Sequence, residues 1–250
     1  MGESFGLYKL ANDEEIMPYV TSANVAGGFH AGDPHVMRAT VKAAKKNDVE
    51  VGIHPGLPDR IGFGRRFMKV TRQELTDYIV YQAGALQAFL KPNQMQLQHV
   101  FTHGIMATMC WETEEYSYAL IDAVNELGKD EVILAGAKGG PGDRYILHDI
   151  AEKAGLRVGT CFILDMDYEP DGSLYVTRTH APVDIEQRVQ RAVNMIKNGR
   201  VKDVKGGEHD YKATTMIVHS DTPNVIQLLQ ALHEELPREG IEILPLKEIV

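Results

Sequence analysis

Residues 22–34, SANVAGGFHAGDP, decide how this chain is read. An apolar run from Val20 to Val25 reads as a strand, and it ends at Gly27-Gly28, where the backbone can take φ > 0 or approach a ligand closely. His30 and Asp33 come next. Asp33 is placed as an N-cap, with Pro34 at the first helical position. A strand thus ends in a tight turn that displays an imidazole and a carboxylate, and the helix start behind them favours anions.

Outward from that stretch the same grammar returns three times. Short apolar runs end at His54-Pro55-Gly56, at His103-Gly104 and at His219-Ser220-Asp221. Further strands are expected at 132–135, 157–163 and 241–246. Helical patterns lie between them: 12–19, 34–46, a long helix opened by the Thr71–Glu74 capping box, 112–127, a stretch ending at 154, 184–198, and one from 221 or 222 to 236. Turn signals at Pro170-Asp171-Gly172 and the polar stretch 201–211 predict two small hairpins. Short strands alternating with helices predict an α/β fold: a distorted parallel β/α barrel of about seven strands, one domain over 1–250, with a doubly wound open sheet as the alternative. In a barrel, chemistry sits at the C-terminal strand ends.

The 250 residues carry a net charge of −9, which excludes a nucleic-acid surface but not an acidic small substrate met by a local arginine pair. The two cysteines, Cys110 and Cys161, form no CxxC and point to a reduced, cytoplasmic setting. No apolar run is long enough for a membrane span, and no export signal is present.

On a closed barrel, His30, His54, His103 and His219 would converge on one rim, with Asp33 and Asp221 nearby. Neutral imidazoles with carboxylates can exchange protons near neutral pH or bind a divalent metal, for which His30, His54 and His103 are the candidates. The competing reading makes each of them a structural histidine bonded to its own turn. The remaining histidines (His35, His99, His148, His180, His209 and His233) read as solvated or structural. Asp59, Arg60, Arg65 and Arg66 either grip a substrate carboxylate or anchor their own loop. GAKGGPG at 136–142, with Lys138, suits an anion at a helix start or serves as a flexible helix entry; it is neither a P-loop nor GxGxxG. Ser220, between His219 and Asp221, lacks a nucleophile elbow, and consecutive residues point apart, so no triad is formed.

The blocks SANVAGGFHAGDP (22–34), GIHPGLPDRIGFGRR (52–66), YQAGAL (81–86), THG (102–104), YEPDGSL (168–174) and VHSDTP (218–223) resemble, in order and spacing, the LamB/YcsF family of 5-oxoprolinase A subunits. The resemblance implies a distorted barrel of the glycoside hydrolase/deacetylase type. It also implies ATP-dependent opening of 5-oxoproline, or a related lactam, to the amino acid, in a complex with B- and C-type subunits that supplies the ATP chemistry. A second copy of the chain is a further possible partner. On this reading His103, His219, His30 and Asp221 are catalytic, His103 or His219 being the general base. His54, Asp33, Asp59, Arg65, Arg66, Lys138 and Glu3 would bind substrate. The alternatives are a metal-dependent deacetylase-like hydrolase on a carbohydrate and a non-catalytic scaffold. The chain departs from the family pattern in several places. Of an opening DLNxDxGE strand only Met1-Gly2-Glu3 remains, and a longer upstream reading frame is expected. A cysteine is Gly27, the lysine of a KPHGALYN block is absent from 101–108, a basic pair is Met166-Asp167, and a glycine is Ser220. Those lost cations imply a less acidic substrate or an impaired activity.

Overall fold

A computed structural model describes residues 1–137, 146–177 and 179–250. Asp13–Ile16 (α1) precedes Ser22–Ala26 (β1); Pro34–Lys46 (α2), Glu50–His54 (β2), Arg72–Leu90 (α3) and Leu97–Val100 (β3) follow. Gly104–Glu112 (α4) and Glu114–Gly128 (α5) lead to Ile133–Ala137 (β4), Leu147–Lys153 (α6) and Val158–Ile163 (β5). Two small antiparallel hairpins, Asp167–Tyr168 (β6) with Leu174–Tyr175 (β7) and Arg200–Lys202 (β8) with Glu208–Asp210 (β9), flank Ile185–Asn198 (α7). Thr215–Ile217 (β10) and Val225–Arg238 (α8) complete the chain's longer elements.

Local chemistry explains the helix starts. Asp33 Oδ1 accepts from the backbone N–H groups of His35 (2.8 Å) and Val36 (2.9 Å), capping α2. The Thr71–Glu74 capping box opens α3 with both reciprocal bonds made. The helix expected over 112–127 is α5; a further helix that the sequence reading did not place, α4, starts directly after His103, and extended Thr113 separates the two.

Among the described residues the main sheet holds six parallel strands in the order β1-β2-β3-β4-β5-β10, curled into a half-barrel. The expectation of about seven strands is corrected at 241–246. Residues 241–245 make no ladder, and Leu246–Glu248 is a 3-10 turn. The apolar alternation there is real, since Ile241 and Ile243 pack into a core, but burying alternate side chains needs no strand partner. β1 and β10 are therefore the sheet's edges, and on β1's outer side Met1 donates to Asn24 O (2.8 Å) and accepts from Ala26 N–H (3.0 Å).

One apolar core lies between the sheet and α2 to α6; a second gathers Phe162, Tyr168 and Tyr211 with the inner faces of α7 and α8. Inside the curl, His99 reaches across β2 to Asn24 Oδ1 (2.6 Å). It can do so because Gly52 lies between them: a Cβ at that position would overlap the His99 ring.

Candidate active site

The register aligns the C-terminal ends of the strands, Ala26 beside His54 and Ile53 beside Val100. The turns after β1 and β3 and the last residue of β2 consequently project to one mouth. His30, His54 and His103 meet there with Glu3, and one ligand atom from each lies within 4.8 Å of all the others. His30 and His103 stack with ring centroids 3.8 Å apart, and His54 stands edge-on to both. His54 Nδ1–H donates to Phe101 O (2.6 Å) and His103 Nε2–H to Phe63 O (2.7 Å); the two remaining nitrogens face each other at 3.1 Å. This group could hold a metal ion.

Glycines and one glutamine hold the cluster. A Cβ at Gly56 would collide with His30 Nδ1, and one at Gly64 (φ +64°) would stand 2.8 Å from His30 Cβ. Gln82 accepts from Gly56 N–H (3.1 Å) and donates to Gly56 O (3.0 Å). Gly27, where the family resemblance expects cysteine, leaves the room that Gln82 fills: a Cβ there would lie 2.6 Å from Gln82 Cβ.

Electrostatics separate two kinds of histidine. Burial pushes His103 down to about 3, helped by the neighbouring His30, and pushes His30 and His54 below the ordinary histidine value. Burial would raise Glu3, but its contact with His30 and the positive charge of the Met1 amino group outweigh it and hold the carboxyl ionised. His219 goes the other way. Burial lowers it, yet the Asp165 carboxylate overcomes that and holds the ring above its ordinary value. Asp165 is buried, accepting from His219 N–H (2.9 Å), His219 Nδ1–H (3.0 Å) and Thr222 Oγ1–H (2.6 Å).

His219 lines the same cavity of about 260 Å³ as Glu3, His54 and His99; it runs between the edges of β1 and β10. Asp165, His180 and His219 also lie close enough to share a metal, but both Asp165 oxygens already accept hydrogen bonds, which suits a proton-transfer pair better. His180, read from sequence as solvated or structural, sits 5.0 Å from the His219 ring and 3.9 Å from Asp221 Oδ1.

Other candidates lie as follows. Asp33 is spent on capping α2 and on Gly6 N–H (2.7 Å). Asp59 is bound to Arg66 and to Gly62 N–H (2.9 Å), and Arg66 brings its pKa down to about 2. Arg65 lies over the Phe63 ring and reaches Thr177 O (3.4 Å), while Arg60 bonds Gly28 O (2.5 Å). Lys138 and most of the GAKGGPG loop fall outside the described residues. Near Met166-Asp167, arginines are supplied from α7: Arg188 (2.7 Å) and Arg191 (3.3 Å) both bind Asp167 Oδ1.

Sequence reading missed Asp165 as a site residue. The signal available was its place just after β5, level with His219 after β10, but the pairing spans 54 positions.

The comparisons agree with this architecture. The chain is 42% identical to a Pyrococcus horikoshii protein named as the A subunit of 5-oxoprolinase, over all of this chain and 96% of that one. A Bacillus licheniformis protein of the same name is 40% identical, over 97% of this chain and 94% of its own length. The crystal structure of a lactam utilization protein from Thermus thermophilus superposes with a TM-score of 0.81 at 34% identity, covering 98% of this chain and 96% of the other. The LamB/YcsF family model matches residues 1–250 from end to end, and with full-length relatives at this identity the chain belongs to the LamB/YcsF family.

Proposed function

We propose that this chain is the lactam-opening A subunit of a 5-oxoprolinase. One observation carries the reading: a carboxylate-backed histidine, Asp165–His219, borders the same cavity as the Glu3–His54 side of the imidazole cluster. Opening a five-membered lactam joins a water oxygen to the carbonyl carbon, breaks the ring C–N bond and delivers a proton to the departing nitrogen. Asp165 holds His219 Nδ1–H, which leaves Nε2–H to protonate that nitrogen. His103 suits proton transfer less, because Phe63 O holds its Nε2–H and its ring does not line the cavity. The Asp221 carboxylate adds to the field that favours the charged His219 ring, and the His180 ring stands beside both.

ATP use and B- and C-type partners belong to this proposal, supported by the name that the relatives carry. Exposed Leu7, Tyr8 and Ile61, on loops that Arg60 ties together over the Phe5 ring, supply apolar surface for such partners. Cytoplasmic residence is likewise proposed; among the described residues no helix is long and apolar enough to cross a membrane.

The test is 5-oxoproline turnover by the complex reconstituted from this chain, B- and C-type subunits and ATP. His219→Asn is expected to lower kcat by about 10²–10⁴ while the fold persists. Unchanged turnover would remove His219 from the chemistry. Deacetylation of a sugar without ATP would favour the carbohydrate hydrolase, and 5-oxoproline binding without any turnover in the wild-type complex would favour a scaffold.

A further inference from the structure

We propose that Glu3, His30, His54 and His103 bind one divalent transition-metal ion of the zinc class. A carbonyl oxygen only accepts, so Phe101 O fixes the proton of His54 on Nδ1, and Phe63 O fixes that of His103 on Nε2. In neutral rings the nitrogens left over, His54 Nε2 and His103 Nδ1, are both lone pairs, yet they face each other at 3.1 Å. Two lone pairs at that distance repel unless a cation lies between them. Backbone carbonyls that set the tautomer of a ligand histidine are a recurrent support around metal sites.

His30 makes the second, independent observation. Its ring is fully buried, and neither nitrogen has a hydrogen-bond partner. Nδ1 lies against Gly56, while Nε2 is 3.5 Å from Glu3 Oε1. A buried imidazole with no hydrogen bond, only a 3.5 Å approach to one carboxylate oxygen, is a costly arrangement for a purely structural residue. Tetrahedral bonds of about 2.0–2.1 Å place ligand atoms about 3.3–3.4 Å apart. The 3.1 Å and 3.5 Å separations fall on either side of that edge length, and all four ligand atoms lie within 4.8 Å. Binding requires the His30 ring to turn about χ2 out of its stack on His103, so that both lone pairs reach one ion. Three imidazoles and one carboxylate suit zinc or a neighbouring transition metal rather than magnesium, which prefers oxygen ligands.

This inference concerns the mouth assigned above to lactam opening but does not depend on that activity, because its readout is metal. The full chain is stripped with a chelator, dialysed and titrated with Zn²⁺ calorimetrically at about pH 7.5, and Co²⁺ is added in parallel for its visible spectrum. One equivalent is expected, with tetrahedral Co²⁺ bands. Glu3→Gln should weaken Zn²⁺ by about 10-fold or more, and His54→Gln by at least about 100-fold. Circular dichroism checks that each variant is folded; should His54→Gln unfold, Glu3→Gln and the wild-type Co²⁺ spectrum still decide. Absence of stoichiometric binding by the folded wild type would overturn the proposal in favour of a proton shared between His54 and His103 and countered by Glu3. Binding that is equally tight in the folded variants would overturn it too. Metal binding with no 5-oxoproline turnover would refute the lactam reading alone.

Discussion

Single residues in this protein are judged by what their neighbours leave them. Gln82 satisfies both backbone groups of Gly56, and Gly56 walls His30, so Gln82 positions the cluster without belonging to it. Gln82→Ala leaves two buried backbone groups unpaired and should cost about 2 kcal/mol or more, read by denaturant unfolding. Gly56→Ala drives a Cβ into His30 and should destabilise by about 1–3 kcal/mol; a variant as stable as wild type would mean that the turn can yield. His99 is buried and neutral, pushed down to about 4 by burial. Between pH 6.5 and about 4 the unfolded chain therefore binds a proton there that the folded chain refuses. Stability should fall with acidification across that window by up to about 1.4 kcal/mol per pH unit from this residue, and His99→Asn should flatten the slope. The role of His99 was not legible in the sequence, because a histidine in the middle of β3 shows no sign that Gly52 opens a path to Asn24.

At the scale of elements, strand ends and helix caps were the legible part. Pro34 after Asp33, and Thr71 three residues before Glu74, mark helix starts through short-range bonds that a linear chain displays directly. For the same reason Asp33 is a cap. Asp33→Ala should lower stability by about 1–2 kcal/mol through loss of the α2 cap, with the KM for lactam unchanged. A raised KM without loss of stability would return it to the substrate-binding set. Asp59 and Arg66 tie their own loop in the same way. The last expected strand misled because alternating apolar residues report burial, and 241–245 achieves burial without a ladder.

For the whole molecule, the parallel order β1-β2-β3-β4-β5-β10 brings the Glu3–His54 side of one cluster and His219 of another to one cavity. The three-imidazole cluster comes from the first half of the chain and Asp165–His219 from the second. The sequence showed that histidines follow strands. It did not show which partner each one meets, since long-range pairing is set by sheet curvature and strand order rather than by neighbours along the chain. The direct test is the pH dependence of 5-oxoproline turnover in the reconstituted complex carrying Asp165→Asn. Asp165 holds His219 above its ordinary value, so the protonated acid persists to higher pH in the wild type, and the rate falls as pH rises through that pKa. Without the carboxylate, the falling limb should move to lower pH and kcat should drop. A variant with the wild-type rate and an unmoved limb would contradict the proposal that this pair carries the proton.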